Sequence, residues 1–476
     1  MTPECEIMIQ WLQTPCTVVF LSGEAGTGKT YQIRQLLKHW PKPQKPADLP
    51  TVAVAAPTGL AAEHIGGQTL HLLLRIPVAD LAIEYDPSGL RRLSPYSFPS
   101  DQYPDFVPFQ QTIKALKLLI IDEISMVSFD LFELIEARLR MIRESDQPFG
   151  GLSLLVVGDL HQLPPVQDEL LSHKLRSTRH ESVYFFSAYC LKHPAVHLKY
   201  MELTEVKRVQ RNSRKSAALK DLLQNLREGH WDDQMRDLLQ QRYELARENF
   251  YPTPSSKVVT THNIRAMVIN QWMLHYLPGH FQPLYTQYQG TGIQYVGMKP
   301  NLLVKVGAPI LFTESENTVN KKGKRRYYNG TFGVITQIYN DHLMISIRQS
   351  DGTYREEKIT PLRWRLEGDV LKRIPYPSYP YEKDYISQYP IDLAWAITIH
   401  KAQGASLDHV FVDAQYAFEP GHLYVAMSRV TSMAGLFPLF KLDHPAIQPD
   451  AAVIAFERQM RQWIQEHPEE FQRNPD

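Results

Sequence analysis

Gly23-Glu24-Ala25-Gly26-Thr27-Gly28-Lys29-Thr30 lies between the apolar, β-branched run Thr17 to Leu21 and the helix-forming stretch Tyr31 to His39. A strand, a glycine-rich turn and a helix in that order let the backbone curl so that its amides face phosphate oxygens at a helix N-terminus. Gly23, Ala25, Gly26, Thr27 and Gly28 form the cradle. Lys29 is spaced to reach the β- and γ-phosphates, and Thr30 to ligate Mg²⁺. The segment predicts an α/β core that binds ATP with Mg²⁺.

The texture of this first strand recurs. Short apolar runs ending in turn or helix signals occur at Thr51 to Ala55, Leu118 to Ile121 and Ser153 to Val157, then at Lys257 to Thr261, Ala394 to Ile399 and His409 to Val412. Such runs read as buried parallel strands, and their two groups predict two α/β cores in tandem. The length of 476 residues accommodates this at roughly 150 residues per domain. Between the second group's strands, Leu303 to Gly368 alternates apolar and polar residues, as at Leu343, Ile345 and Ile347, with turn pairs Asn329-Gly330 and Asp351-Gly352. A small antiparallel β unit inserted into the second core follows. Tyr85 to Phe109 and Pro375 to Pro390, rich in proline and aromatics, are expected to be ordered loops rather than regular helix or central strand. Val453, Phe456, Met460 and Trp463 repeat at helical spacing, so Ala451 to Ile464 is expected to be an amphipathic helix packed on the second core.

Composition excludes little. Formal net charge is zero, so any surface for a polyanion must be a local groove. Cys5, Cys16 and Cys190 include no CxxC pair and lack metal-ligand spacing, which points to reduced thiols. Apolar runs are strand-length, too short to span a bilayer, and the N-terminal residues do not read as a signal peptide, so no membrane partner is expected and the cytoplasm is the default location.

Two further segments extend the phosphate chemistry. Leu118 to Ile121 ends in Asp122-Glu123, at the carboxyl end of a strand, where α/β folds place ligands. Asp122 suits Mg²⁺, directly or through water, and Glu123 suits the base that orients an attacking water. A third strand ends in Gly158-Asp159-Leu160-His161-Gln162-Leu163-Pro164-Pro165. There Gln162 either bonds the γ-phosphate or attacking water, or caps a turn before the proline pair.

With these segments in view, the chain resembles the Pif-family DNA helicases of superfamily 1B, near the RecD-like and phage Dda-like enzymes. The likeness runs in order through Gly23 to Thr30, Ala56 to Ala62 continuing to Gly66-Gly67-Gln68-Thr69-Leu70-His71, Asp122 to Val127, Gly158 to Val166, Leu203-Thr204-Glu205-Val206-Lys207-Arg208, Thr398-Ile399-His400-Lys401-Ala402-Gln403-Gly404 and Tyr424-Val425-Ala426-Met427-Ser428-Arg429. One departure is Val209, where many relatives carry glutamine after the motif arginine.

The resemblance implies two RecA-like P-loop cores, with residues 1–200 as the first and a wedge insertion at about 76–114. The second core spans 201–300 and 386–476, and the inserted β-barrel 301–385. It implies that Arg208 and Arg429 reach the γ-phosphate from the second core, and that Gln403 and Gly404 belong to the nucleotide site. Thr58, Gly59, Gln68, Thr69, His71, Thr398, His400 and Lys401 would hold single-stranded DNA, and Gln10 or Gln13 would read adenine. ATP would close a cleft between the cores and hydrolysis open it, driving 5′ to 3′ movement of a monomer on single-stranded and partial-duplex DNA. Tyr96, Phe98, Tyr103 and Phe106 either stack on the last base pair or pack the insertion down. Lys321-Lys322-Gly323-Lys324-Arg325-Arg326 is a phosphate clamp, a solvated hairpin tip or a nuclear signal. Competing readings are a single-strand translocase that does not unwind and an AAA-type ATPase that remodels protein.

Overall fold

The computed structural model describes residues 1–41, 49–77, 84–86, 89–93, 98, 105–205, 214–250, 256–289, 301–316, 325–349, 352–367, 370–374, 384–405, 407–417, 419–441 and 449–471. The chain divides into two compact units: Met1–Met235 with Ala417–Met433 and Asp443–Asp476, and Arg236–Tyr416 with Ala434–Leu442.

The first unit is built on a six-stranded sheet. Its order is Gln68–Thr69, Val52–Ala56, Leu118–Ile121, Ser153–Gly158, Thr17–Gly23 and His197–Leu203, every pairing parallel. Thr17–Gly23, Leu118–Ile121 and Ser153–Gly158 are buried along their whole length, as expected for central strands covered on both faces. The period of two divides their side chains between two cores. Val18, Phe20, Leu119, Ile121, Leu154 and Val156 enter one cluster, and Val19, Leu21, Leu118, Ile120, Leu155 and Val157 the other. The strand His197–Leu203 has no apolar run to announce it, because among the described residues it pairs only with Thr17–Gly23 and its His197, Lys199 and Glu202 are not buried.

The terminal helix forms at Ala451–Glu466 with the expected apolar face, but it packs on the first unit. Val453, Phe456 and Met460 join the core of the first sheet, and the Phe456 ring stacks on Phe186 with centroids 4.3 Å apart. Helical spacing fixes which face is buried and leaves open what it is buried against. Ala417–Met433, also expected in the second core, likewise clusters with the first unit.

In the second unit a four-stranded parallel sheet runs Ala396–Thr398, Val258–Thr260, Val410–Asp413 and Leu436–Pro438. The alternating region forms antiparallel sheets, one ordered Tyr354–Ile359, Leu343–Arg348, Phe332–Ile338, Pro309–Phe312 and Ile391–Leu393. Leu343, Ile345 and Ile347 all point into its core. Two expectations about proline-rich loops fail. Tyr385–Gln388 is a strand between Gln287–Gln289 and Leu362–Glu367, a proline-free tetrapeptide hidden by its neighbours' composition. Phe106–Ala115 is a helix, and it tolerates Pro108 because the first turn has no amide partner to lose. Among the described residues no helix is long and apolar enough to cross a membrane, and Cys5, Cys16 and Cys190 are free and buried.

Candidate functional site

At the carboxyl end of the buried strand Thr17–Gly23 the chain turns through the glycine loop into the helix Lys29–His39. Gly28 caps that helix at φ +97°, in the left-handed region where a β-carbon would clash. Lys29 is half-buried as a residue, but its amine is enclosed and donates to the carbonyls of Gly23 at 2.6 Å and Glu24 at 3.0 Å. Burial pushes the amine's pKa down, and the carboxylates of Asp159, Glu123 and Asp122 pull against that shift. The cation expected at the phosphates thus feels the charges of Asp159, Glu123 and Asp122, of which Asp122 is the one expected at Mg²⁺.

Asp122 and Glu123 leave the buried strand Leu118–Ile121 together. Glu123 takes φ +53°, uncommon for a non-glycine residue, and its amide donates to Asp122 Oδ1 at 3.0 Å. Asp122 is buried, and burial followed by the Glu123 charge raises its carboxyl to about 7, with the Glu123 amide and Lys29 opposing. A buried, crowded carboxylate with a hydroxyl on the phosphate-loop helix is a hard-oxygen donor set that fits Mg²⁺.

In the third segment the turn is capped by a residue other than Gln162. Asp159 caps the turn: its Oδ1 accepts from His161 N at 3.2 Å and its carbonyl from Gln162 N at 3.0 Å. Gln162 is buried, its Nε2 donates weakly to Asp159 Oδ2 at 3.4 Å, and its Oε1 has no partner among the described residues. The glutamine is thus free to orient another group.

Around Asp159 lies a charge network that sequence reasoning missed. Arg227, on the helix Arg214–Glu228, is buried and donates to Asp159 Oδ1 at 3.4 Å and Glu457 Oε1 at 3.2 Å, with Glu24 Oε1 at 4.0 Å. His161 Nε2 pairs with Glu457 Oε2 at 3.1 Å. Tyr424 donates to Asp159 Oδ2 at 2.7 Å and accepts from Ala25 N at 3.2 Å. Burial alone would raise the Asp159 carboxyl, but Arg227, Lys29, His161 and Tyr424 together hold it below the ordinary aspartate value. His161 and Tyr424 lie in motifs already read from the sequence, but Arg227 and its partner Glu457 carry no local signature: Arg227 looks like any arginine on an amphipathic helix, and Glu457 lies on the terminal helix.

Arg429, expected in the second core, lies in the first unit, buried, with Nε donating to Val425 O at 3.0 Å and Nη2 to Ser428 Oγ at 2.7 Å. Arg208 and Val209 fall outside the described residues. Thr58 and Thr69 each cap a short helix, their hydroxyls accepting from Ala61 N and Leu72 N at 3.3 Å. Gln68 is exposed, while Gly59 and His71 are half-buried, and burial lowers the His71 ring pKa. In the second unit Thr398 is buried, His400 is half-buried and Lys401 pairs with Asp392 at 3.3 Å. Gln403 is buried there and Gly404 follows it at φ +79°. Gln10 and Gln13 are exposed.

Of the wedge aromatics, Phe98 is 1% exposed beneath the Arg138 guanidinium, 3.8 Å from its ring centroid, so it anchors the insertion. Phe106 is half-buried beside Phe109, and Tyr96 and Tyr103 lie outside the described residues. Of the basic run, 321–324 lie outside them too, and Arg326 is engaged by Glu316 at 2.5 Å and Glu357 at 3.4 Å.

A family model described as PIF1-like helicase matches residues 101–237, one described as AAA domain matches 7–168, and one described as UvrD-like helicase C-terminal domain matches 393–435. The chain is 31% identical to the Xenopus laevis ATP-dependent DNA helicase PIF1 over 93% of its own length and 62% of that protein's. It is 30% identical to the Campylobacter jejuni ATP-dependent DNA helicase Pif1, covering 87% of each. A Bacteroides Pif1 helicase solved in complex with ADP-AlF3 and ssDNA superposes at TM-score 0.72 with 28% identity, covering 97% of both chains. The chain therefore spans about three fifths of the Xenopus relative.

Proposed function

The chain belongs to the PIF1-like helicase family, and from that premise we propose that it is an ATP-dependent DNA helicase that moves 5′ to 3′ on single-stranded DNA and unwinds duplex. The observation that carries the proposal is the phosphate loop itself, which leaves a buried parallel strand, turns at Gly26 and Gly28, both at positive φ, and enters the helix Lys29–His39 with the Lys29 amine folded onto the carbonyls of Gly23 and Glu24. Lys29 binds the β- and γ-phosphates, and the loop amides orient them. Thr30 and Asp122 would hold Mg²⁺, which when bound would neutralise phosphate charge. Glu123 accepts the proton of the attacking water, and Gln162, whose Oε1 lacks a partner among the described residues, orients that water. Arg208 and Arg429 stabilise charge on the transferring group. Thr58, Gly59, Gln68, Thr69 and His71, with Thr398, His400 and Lys401 of the second unit, contact the strand's phosphates without reading bases. Gln403 and Gly404 complete the nucleotide site. Family membership leaves no support for the protein-remodelling alternative.

ATP hydrolysis measured with and without single-stranded DNA, alongside strand displacement on duplexes with a 5′ or a 3′ tail, tests the proposal. Stimulated hydrolysis with displacement of the 5′-tailed substrate is expected; neither activity on either substrate overturns it. One observation favours a second reading, translocation without unwinding: the buried Phe98 is unavailable to stack on a base pair.

A further inference from the structure

We propose that Tyr424 is a positioning residue for ATP hydrolysis, its hydroxyl tying the phosphate loop at Ala25 to the glutamine turn at Asp159. The inference rests on reading Gly23 to Thr30 as the nucleotide site.

Three observations converge on it. The Tyr424 hydroxyl accepts from Ala25 N at 3.2 Å and donates to Asp159 Oδ2 at 2.7 Å, so one oxygen bridges two segments of the phosphate machinery 134 residues apart in sequence (159 minus 25). Both contacts are sheltered, with Tyr424 3% exposed and Asp159 fully buried, and burial followed by the Asp159 charge keeps the phenol protonated and donating. The helix that carries the tyrosine, His422–Met427, is seated on the same turn from its other end. Its cap, Gly421, sits at φ +78°, and a β-carbon there would lie 2.6 Å from the carbonyl oxygens of both His161 and Gln162.

The consequence is geometric. Asp159 holds Gln162 through the backbone amide at 3.0 Å and the side-chain amide at 3.4 Å. Whatever fixes Asp159 against Ala25 therefore fixes Gln162 against the loop that cradles the γ-phosphate. Tyr424 is the described side chain that makes this link with a single atom. Removing that atom loosens an alignment needed when water attacks and leaves the loop amides and Lys29 in place to bind nucleotide. Such a loss falls on the transition state rather than on ground-state binding.

The test is Y424F, which keeps the buried ring and deletes the hydroxyl. DNA-stimulated ATPase kinetics, affinity for a fluorescent ATP analogue and the thermal midpoint are compared with wild type. Expected is a fall in kcat of about tenfold, with KM for ATP and analogue affinity within about twofold, since an interaction made only in the transition state lowers kcat and kcat/KM together. F132L, a core substitution on the helix Phe129–Arg143 whose ring packs on Phe149 and Phe185, controls for general loosening. An unchanged kcat in Y424F overturns the proposal, as does tighter analogue binding at unchanged kcat, which would make the hydroxyl a competitor of phosphate for the Ala25 amide. Equal loss of kcat in F132L at a matched thermal midpoint overturns it too. If the wild type itself does not hydrolyse ATP, the nucleotide-site reading falls with it; if only Y424F behaves as wild type, the positioning role alone falls.

Discussion

The charges of the first unit's site and those of the second unit's Thr398 to Gly404 segment are held in opposite ways. In the first, Asp122, Asp159 and Arg227 are all buried, and Asp159 and Arg227 are tied to named charged partners. In the second, Lys401 is 43% exposed at its side chain and pairs with Asp392 at 3.3 Å. Fixed charges in a water-excluded site act on a transition state without reorganising, whereas a hand that must grip and release a strand needs charges that exchange partners cheaply. The contrast suits the chemistry proposed around Asp122 and Asp159 and the transient phosphate contact proposed for Lys401, and each substitution below probes one side of it.

Lys29→Ala removes the enclosed cation and is expected to abolish ATP turnover, with nucleotide affinity lost as well, read by steady-state ATPase and analogue binding. Retained turnover would mean that the phosphates are held without the loop lysine. Glu123→Gln keeps shape and removes the base, so hydrolysis should fall by about 10³-fold while ATP still binds. A variant that bound no nucleotide would place Glu123 among the binding groups instead.

Arg227→Met should have the next largest effect. It leaves Asp159 and Glu457 buried without their shared cation, a loss of about 3–5 kcal/mol in stability, and it lets the turn carrying Gln162 shift, lowering turnover by about 10²-fold. The pH dependence has a definite sign. In the wild type the Asp159 carboxyl lies below its ordinary value, so it contributes stability above about pH 4 that is lost as pH falls through the folded value. Without Arg227, first among the groups that lower it, the carboxyl protonates at higher pH and the acid-unfolding midpoint moves up, as circular dichroism against pH would show. An unmoved midpoint would make the pair a packing feature and erase the contrast between the units.

How much of this was readable in the chain follows the same division. Gly23 to Thr30, Asp122-Glu123 and Gly158 to Pro165 are legible because each is one strand end and its turn, and their chemistry is set by neighbours along the chain. The network around them is not. Arg227 finds Asp159 across 68 residues and Glu457 across 230, and Tyr424 finds Asp159 across 265, so no local spacing encodes the pairings. The terminal helix is the same case: Val453, Phe456 and Met460 declare a buried face, yet only the aromatic platform of Phe20, Phe185 and Phe186 shows what it covers. His197–Leu203 was hidden for the converse reason, its polar residues tolerated at a sheet edge.

Lys401→Ala should have the smallest effect and is the most direct test of the exposed side. A surface pair such as Lys401 with Asp392 contributes less than about 1 kcal/mol, so the amine can leave Asp392 for a strand phosphate at little cost, and removing it should leave folding and DNA-free ATP hydrolysis unchanged. What should change is strand affinity, by a few-fold and equally for strands of any sequence. The slope of log affinity against log salt should also fall by about one, because a single phosphate contact releases about one counterion. Fluorescence anisotropy with labelled oligonucleotides at several salt concentrations measures both. A lowered DNA-free turnover would show that Lys401 is as fixed and as chemical as Lys29, and the distinction between held and exchangeable charge would no longer separate the two units.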